Sequence, residues 1–134
     1  MKNETIKILH LEDTSSDAEL IHRALKNGEV EYQIRVVETQ IDFEKELVRF
    51  KPHLILSDHT LQASNSLEAM EVLKRSGLKI PFILVTGHES EDHVTKLVAE
   101  GMDGYVLKNN LQQLLAVVTN VLERYSLLKA TGTK

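Results

Sequence analysis

Five short runs of aliphatic and β-branched residues, each separated from the next by a segment of helical period, constrain this chain more than any other feature. The runs are Ile6-Lys7-Ile8-Leu9-His10-Leu11, Tyr32 to Val37, Leu54-Ile55-Leu56, Phe82-Ile83-Leu84-Val85 and Tyr105-Val106-Leu107. Between and after them, apolar residues recur three or four positions apart. Ala18, Leu20, Ile21, Ala24 and Leu25 form the first such set, and Phe43, Leu47 and Phe50 the second. Leu67, Met70, Val72 and Leu73 form the third, and Val94, Leu97 and Val98 the fourth. The last is the clearest: Leu111, Leu114, Leu115, Val118, Val121, Leu122, Tyr125 and Leu128. Strands alternating with helices make βαβ units, and such units build a parallel sheet. Strands three and four are apolar without alternation, as strands covered on both faces are.

Local signals place the element ends. Thr14 opens the first helix, with Asp17 in capping-box position, and Asn27-Gly28 closes it with a residue suited to positive φ. Thr39-Gln40-Ile41-Asp42 opens the second, and Pro52 stops it ahead of strand three. Ser76-Gly77 ends the third and Gly101 the fourth. With right-handed crossovers the product is an open, doubly wound α/β sheet of Rossmann or flavodoxin type. At 134 residues, without repeats or linkers, the chain reads as a single domain over 1–134, its core spanning about 6–128.

Composition removes several function classes. Twenty acidic residues against sixteen Lys and Arg give a net charge of −4, which argues against direct nucleic-acid binding. No stretch of about 18 apolar residues exists to span a membrane, and the N-terminus lacks the apolar run of a signal peptide. The absence of cysteine rules out disulfides and thiolate chemistry and accords with a cytoplasmic location.

In doubly wound sheets, ligands bind beyond the carboxyl ends of the strands. Strand one ends in Glu12-Asp13, strand three in Ser57-Asp58 and strand four in Thr86-Gly87, while strand five runs into Lys108. Each residue alone has a structural explanation, in capping, turns or solvated charge. Together they bring three carboxylates, a hydroxyl and an ammonium to one edge of the sheet. That set suits phosphoryl transfer to a carboxylate. The crowded carboxylates favour a hard divalent cation, and a mostly hydrated Mg²⁺ needs few protein oxygens. Three negative charges, Lys108 and Mg²⁺ sum to zero before substrate arrives. Asp58 is then the nucleophile that forms an aspartyl phosphate, Thr86 donates to a phosphoryl oxygen, and Gly87 leaves the approach uncrowded.

The motifs around Glu12-Asp13, Leu54-Ile55-Leu56-Ser57-Asp58, Phe82 to Gly87 and Gly104-Tyr105-Val106-Leu107-Lys108 resemble the response-regulator receiver family, in order and spacing, over residues 6–128. The resemblance implies a flavodoxin-like (βα)5 fold with strand order 2-1-3-4-5. It implies Asp58 as phospho-acceptor, and Glu12, Asp13, Asp58 and the backbone carbonyl of Thr60 as Mg²⁺ ligands. Thr86 and Lys108 match the phosphate-contacting pair, and Tyr105 the aromatic whose rotamer follows the Thr hydroxyl. A histidine kinase or phosphotransfer protein, or a small phosphodonor, would supply the phosphoryl group, and an attached or separate output domain would read the result. The chain would be a two-component signalling switch, not an enzyme; a receiver-like interaction module that works without phosphorylation is the alternative reading.

The chain departs from the family pattern at Asn109, where proline is usual, at Gln62 and Ser66 in the acceptor loop, and at His88. The family's Lys-Pro bond is typically cis. With Asn the cis form would cost about 2.5–4 kcal/mol, so a trans bond is expected, with Asn109 or Asn110 near the N-cap of the last helix. The six histidines show no metal-ligand spacing, and His59 reads as an exposed loop residue.

Overall fold

The computed structural model describes residues 5–59, 61, 65–87 and 91–127, and all five apolar runs are strands of one parallel sheet. The strands are β1 (Ile6–Leu11), β2 (Tyr32–Val37), β3 (Leu54–Ser57), β4 (Phe82–Thr86) and β5 (Gly104–Leu107), in the order β2-β1-β3-β4-β5. The helices are α1 (Ser15–Lys26), α2 (Gln40–Arg49), α3 (Ser66–Ser76), α4 (Glu91–Ala99) and α5 (Leu114–Arg124).

The period of two along each strand divides the core into two layers. Leu9, Leu11, Ile55, Phe82 and Leu84 face α2, α3 and α4, where Phe43, Leu47, Ala69, Met70 and Leu97 pack. Ile8, Leu54, Leu56, Ile83, Val85 and Val106 face α1 and α5, against Ile21, Leu25, Val118, Val121 and Leu122. This division decides which helix can reach which strand end, and it places α1 and α5 on the side toward which Glu12 and Lys108 continue the pattern.

Two of the expected caps form. Thr39 accepts from the Asp42 amide at 3.1 Å, and Gly77 closes α3 at φ 77°. Three local expectations are corrected. Thr14 is the N-cap of α1 but its side chain makes no capping bond; its hydroxyl donates to Asp13 Oδ1 at 3.4 Å, and Asp17 is engaged elsewhere. Neither Asn27 nor Gly28 takes positive φ, for Asn27 ends α1 in the right-handed region. The glycine serves closeness instead: a β-carbon at position 28 would lie 2.8 Å from Leu115 Cδ2 on α5. The Lys108–Asn109 bond is trans, but neither Asn caps the last helix. A 3-10 turn over Lys108–Gln113, kinked at Asn110 (φ −139°, ψ 45°), precedes α5, whose N-cap Gln113 makes no side-chain bond. Leu128, expected at the end of the apolar stripe, lies outside the described residues.

One polar side chain is sealed inside the α1/α5 layer. His10 is fully buried, with Nδ1 3.2 Å from Nε2 of half-buried His22. Burial, helped by His22 and Lys108, holds its pKa down at about 3 instead of 6.5. The unfolded chain therefore takes up a proton near pH 6.5 that the folded chain refuses until about pH 3, and stability falls as pH is lowered through that window. The expected slope from this residue is about 1.4 kcal/mol per pH unit below 6. Urea unfolding at pH 7, 6 and 5 checks it: His10→Leu should remove that increment of acid sensitivity, and an unchanged slope would contradict it.

Candidate functional site

The sheet gathers the expected polar residues at the carboxyl ends of its strands. The ladders run on past the strand ends: the Glu12 amide donates to Val37 O at 2.9 Å, and the Asp58 amide to Leu11 O at 3.1 Å. These bonds fix the backbone on which Glu12 and Asp58 stand, and both side chains are buried. Buried Thr86, at the end of β4, donates its hydroxyl to Asp58 Oδ1 at 2.9 Å. Lys108, one residue beyond β5, donates to Asp58 Oδ2 at 2.9 Å. Both oxygens of the Asp58 carboxylate are therefore held, one by a hydroxyl and one by an ammonium.

The Lys108 ammonium is the hub. It lies 2.9 Å from Glu12 Oε1, 2.9 Å from Asp58 Oδ2 and 2.8 Å from Asp17 Oδ2. Burial would push its pKa down, but the bonds to Asp17, Glu12 and Asp58 outweigh that and hold it above the ordinary lysine value. Glu12 responds in the opposite sense. Burial pushes its pKa up and wins over Lys108, with repulsion from Asp58 adding to the shift. Asp13 is half-buried beside this cluster on the loop into α1, where Oδ1 accepts from the Thr14 hydroxyl.

Asp17 is the residue that reading the strand ends missed. A carboxylate in the first turn of a helix passes for a capping residue, yet this one bonds to a lysine 91 positions away. Its position was informative: Asp17, Ile21 and Leu25 stand four apart, so the carboxylate heads the buried stripe of α1. That stripe packs on the layer toward which Lys108 points.

The remaining expectations fall into place differently. Thr60, whose carbonyl the resemblance makes a metal ligand, lies outside the described residues, as do Gln62 and His88. Tyr105 is brought to β5 but not to the cluster; its side chain faces outward, 42% exposed, while the Thr86 hydroxyl serves Asp58. His59 is half-buried rather than exposed: Nδ1 is 2.8 Å from Ser66 Oγ, and Nε2 is 3.2 Å from His93 Nε2 on α4.

Whether the donor set fits a divalent cation follows from its charge. Three carboxylates, those of Glu12, Asp17 and Asp58, share one ammonium, Asp13 follows Glu12 in the chain, and the most buried of the three has its charged form disfavoured. Among the described residues, no three side chains are arranged around a common ion position as they stand, because Lys108 occupies the point where three of them converge. The oxygens are hard donors in excess of cation, the kind Mg²⁺ takes, and they fit it.

Comparisons with known proteins bear on the family and the fold. The family model described as the response regulator receiver domain matches residues 8–119. A search of curated protein sequences gave no match. Among solved structures, the signal receiver domain of a protein named as a Luxo repressor, from Vibrio parahaemolyticus, is similar with a TM-score of 0.81 and 26% identity, covering 92% of this chain and 95% of its own. The N-terminal domain of a response regulator/sensory box/GGDEF protein from Carboxydothermus hydrogenoformans shares the fold, with a TM-score of 0.76, 24% identity, and coverage of 90% and 96%. The receiver domain of Francisella response regulator 1452 does so at 0.77, 16% identity, and coverage of 90% and 99%. A family model spanning most of the chain, on a sheet of order 2-1-3-4-5 with its polar groups at the strand ends, leads to one assignment: the chain belongs to the response regulator receiver domain family.

Proposed function

We propose that the chain accepts a phosphoryl group on Asp58, from a histidine kinase or phosphotransfer protein of a two-component phosphorelay, and that the modification switches a partner-binding surface. The observation that carries this reading is the Asp58 carboxylate, buried at the end of β3 with Thr86 on one oxygen and Lys108 on the other. A carboxylate oxygen attacks phosphorus, an O–P bond forms, and the bond from phosphorus to the donor's nitrogen or oxygen breaks. The hydroxyl of Thr86 and the ammonium of Lys108 then turn from the carboxylate to the new phosphoryl oxygens, which carry more charge than the carboxylate did.

Glu12, Asp13, Asp58 and the backbone carbonyl of Thr60 would hold Mg²⁺. Bound there, the ion supplies positive charge to offset that of the transferred group. Withdrawal of the Thr86 hydroxyl toward phosphate is the local change through which Tyr105, on the adjacent strand, would respond. The product is a modified protein rather than a released molecule, so the chain works as a switch, read by an attached or separate output domain. Among the described residues no helix is long and apolar enough to cross a membrane.

Intact-mass measurement tests the reading. Incubation with acetyl phosphate and Mg²⁺ should add one phosphoryl group, and chelation of the metal should prevent it. A protein whose mass never changes, with a competent kinase or with the small donor, would contradict it.

A further inference from the structure

Three carboxylates surround the Lys108 ammonium, and they differ in exposure. The Glu12 side chain is fully buried and that of Asp58 11% exposed, whereas that of Asp17 is 34% exposed. Asp17 is thus the outermost of the three. Its Oδ2 and that of Asp58 bond to the same nitrogen, so they lie closer together than the sum of those two bonds. A small anion that reaches Asp58 comes close to the negative charge of Asp17, the most exposed of the three carboxylates, and the ammonium that would attract it is already bonded to that carboxylate.

We propose that Asp17 is a specificity-determining residue: a rim carboxylate that disfavours small, highly charged phosphodonors and reserves Asp58 for donors presented by a docked protein. The inference rests on the reading of Asp58 as phospho-acceptor. A docked partner offsets the same repulsion with its interface, which a free donor lacks. Because Coulomb repulsion scales with charge, the residue should discriminate between donors by their charge. Acetyl phosphate is a dianion at neutral pH; its O–P bond breaks and acetate leaves. Phosphoramidate is a net monoanion; its N–P bond breaks and ammonia leaves from an already protonated nitrogen.

The experiment measures the second-order rate constant of phosphorylation with each donor, at low salt and fixed Mg²⁺, for wild type, Asp17→Asn and Asp17→Glu. At a separation near 8 Å in a water-like dielectric, neutralising Asp17 should raise the rate about fivefold with the dianion and about twofold with the monoanion. The gain should shrink as salt rises, and Asp17→Glu should stay near wild type. A merely structural role would change both donors by one common factor, and that outcome, or no change, overturns the inference while leaving the acceptor reading intact. No phosphorylation of any of the three proteins by either donor overturns the inference, and the acceptor reading falls with it only when a competent kinase also leaves the mass unchanged.

Discussion

Replacing Lys108 with alanine is expected to destabilise the domain by about 3 kcal/mol. The ammonium is the countercharge for Glu12, whose side chain is fully buried, and for Asp58, 11% exposed. Removing one partner of a buried ion cluster leaves the others charged without compensation, at a cost of about 3–5 kcal/mol. The Lys108 side chain retains 17% exposure, which places the expected loss at the lower end. Urea unfolding at pH 7 measures it, and a loss below about 1 kcal/mol would show that water rather than Lys108 balances the carboxylates. The same variant, even if slowly phosphorylated, should give a smaller amide-spectrum response than wild type, because β5 has lost its tie to the phosphoryl oxygens. A full response would contradict the role assigned to Lys108.

Asp13→Ala is expected to weaken Mg²⁺ binding at least tenfold. Disturbing even the outer hydrogen-bond partners of a metal ligand commonly costs about 10–100-fold in affinity, and a direct oxygen ligand should matter no less. Asp13 is the acidic residue of the strand-one pair that stands outside the Lys108 hub, so its loss should leave the fold of the cluster in place. Mg²⁺ titration followed by calorimetry or amide shifts decides it. Equal affinities in variant and wild type would overturn the metal assignment.

How much of this was legible in the residues depends on range. The sheet and its class were, because the central strands β3 and β4 are apolar runs covered on both faces and each crossover helix carries an apolar stripe. The convergence of Glu12, Asp58, Thr86 and Lys108 was too, because strand ends of a parallel sheet share one edge whatever the loops do. Asp17 was not, since a first-turn carboxylate reads the same whether it caps its own helix or reaches a lysine across the fold. Its place four residues before Ile21 sets it on the buried stripe of α1, but only the docking of α1 beside Lys108 identifies its partner. The pairing of His59 with His93 was invisible for a similar reason, as it depends on where α4 lies against the acceptor loop. At Asn109 the loss of proline predicts the trans bond that is observed, but the chain enters α5 through a kinked 3-10 turn rather than an Asn cap. Local propensity offers both routes, and tertiary packing chooses.

The proposed chemistry puts the acyl phosphate on Asp58 and on no other carboxylate of the cluster. Borohydride reduction of the protein after incubation with Mg²⁺ and acetyl phosphate locates it, because reduction converts a phosphorylated aspartate to homoserine at the modified position. Peptide mapping should find homoserine at position 58 in the wild-type protein and nowhere in Asp58→Asn. Homoserine at position 13 or 17, or a phosphoryl group retained at full yield by Asp58→Asn, would contradict the account.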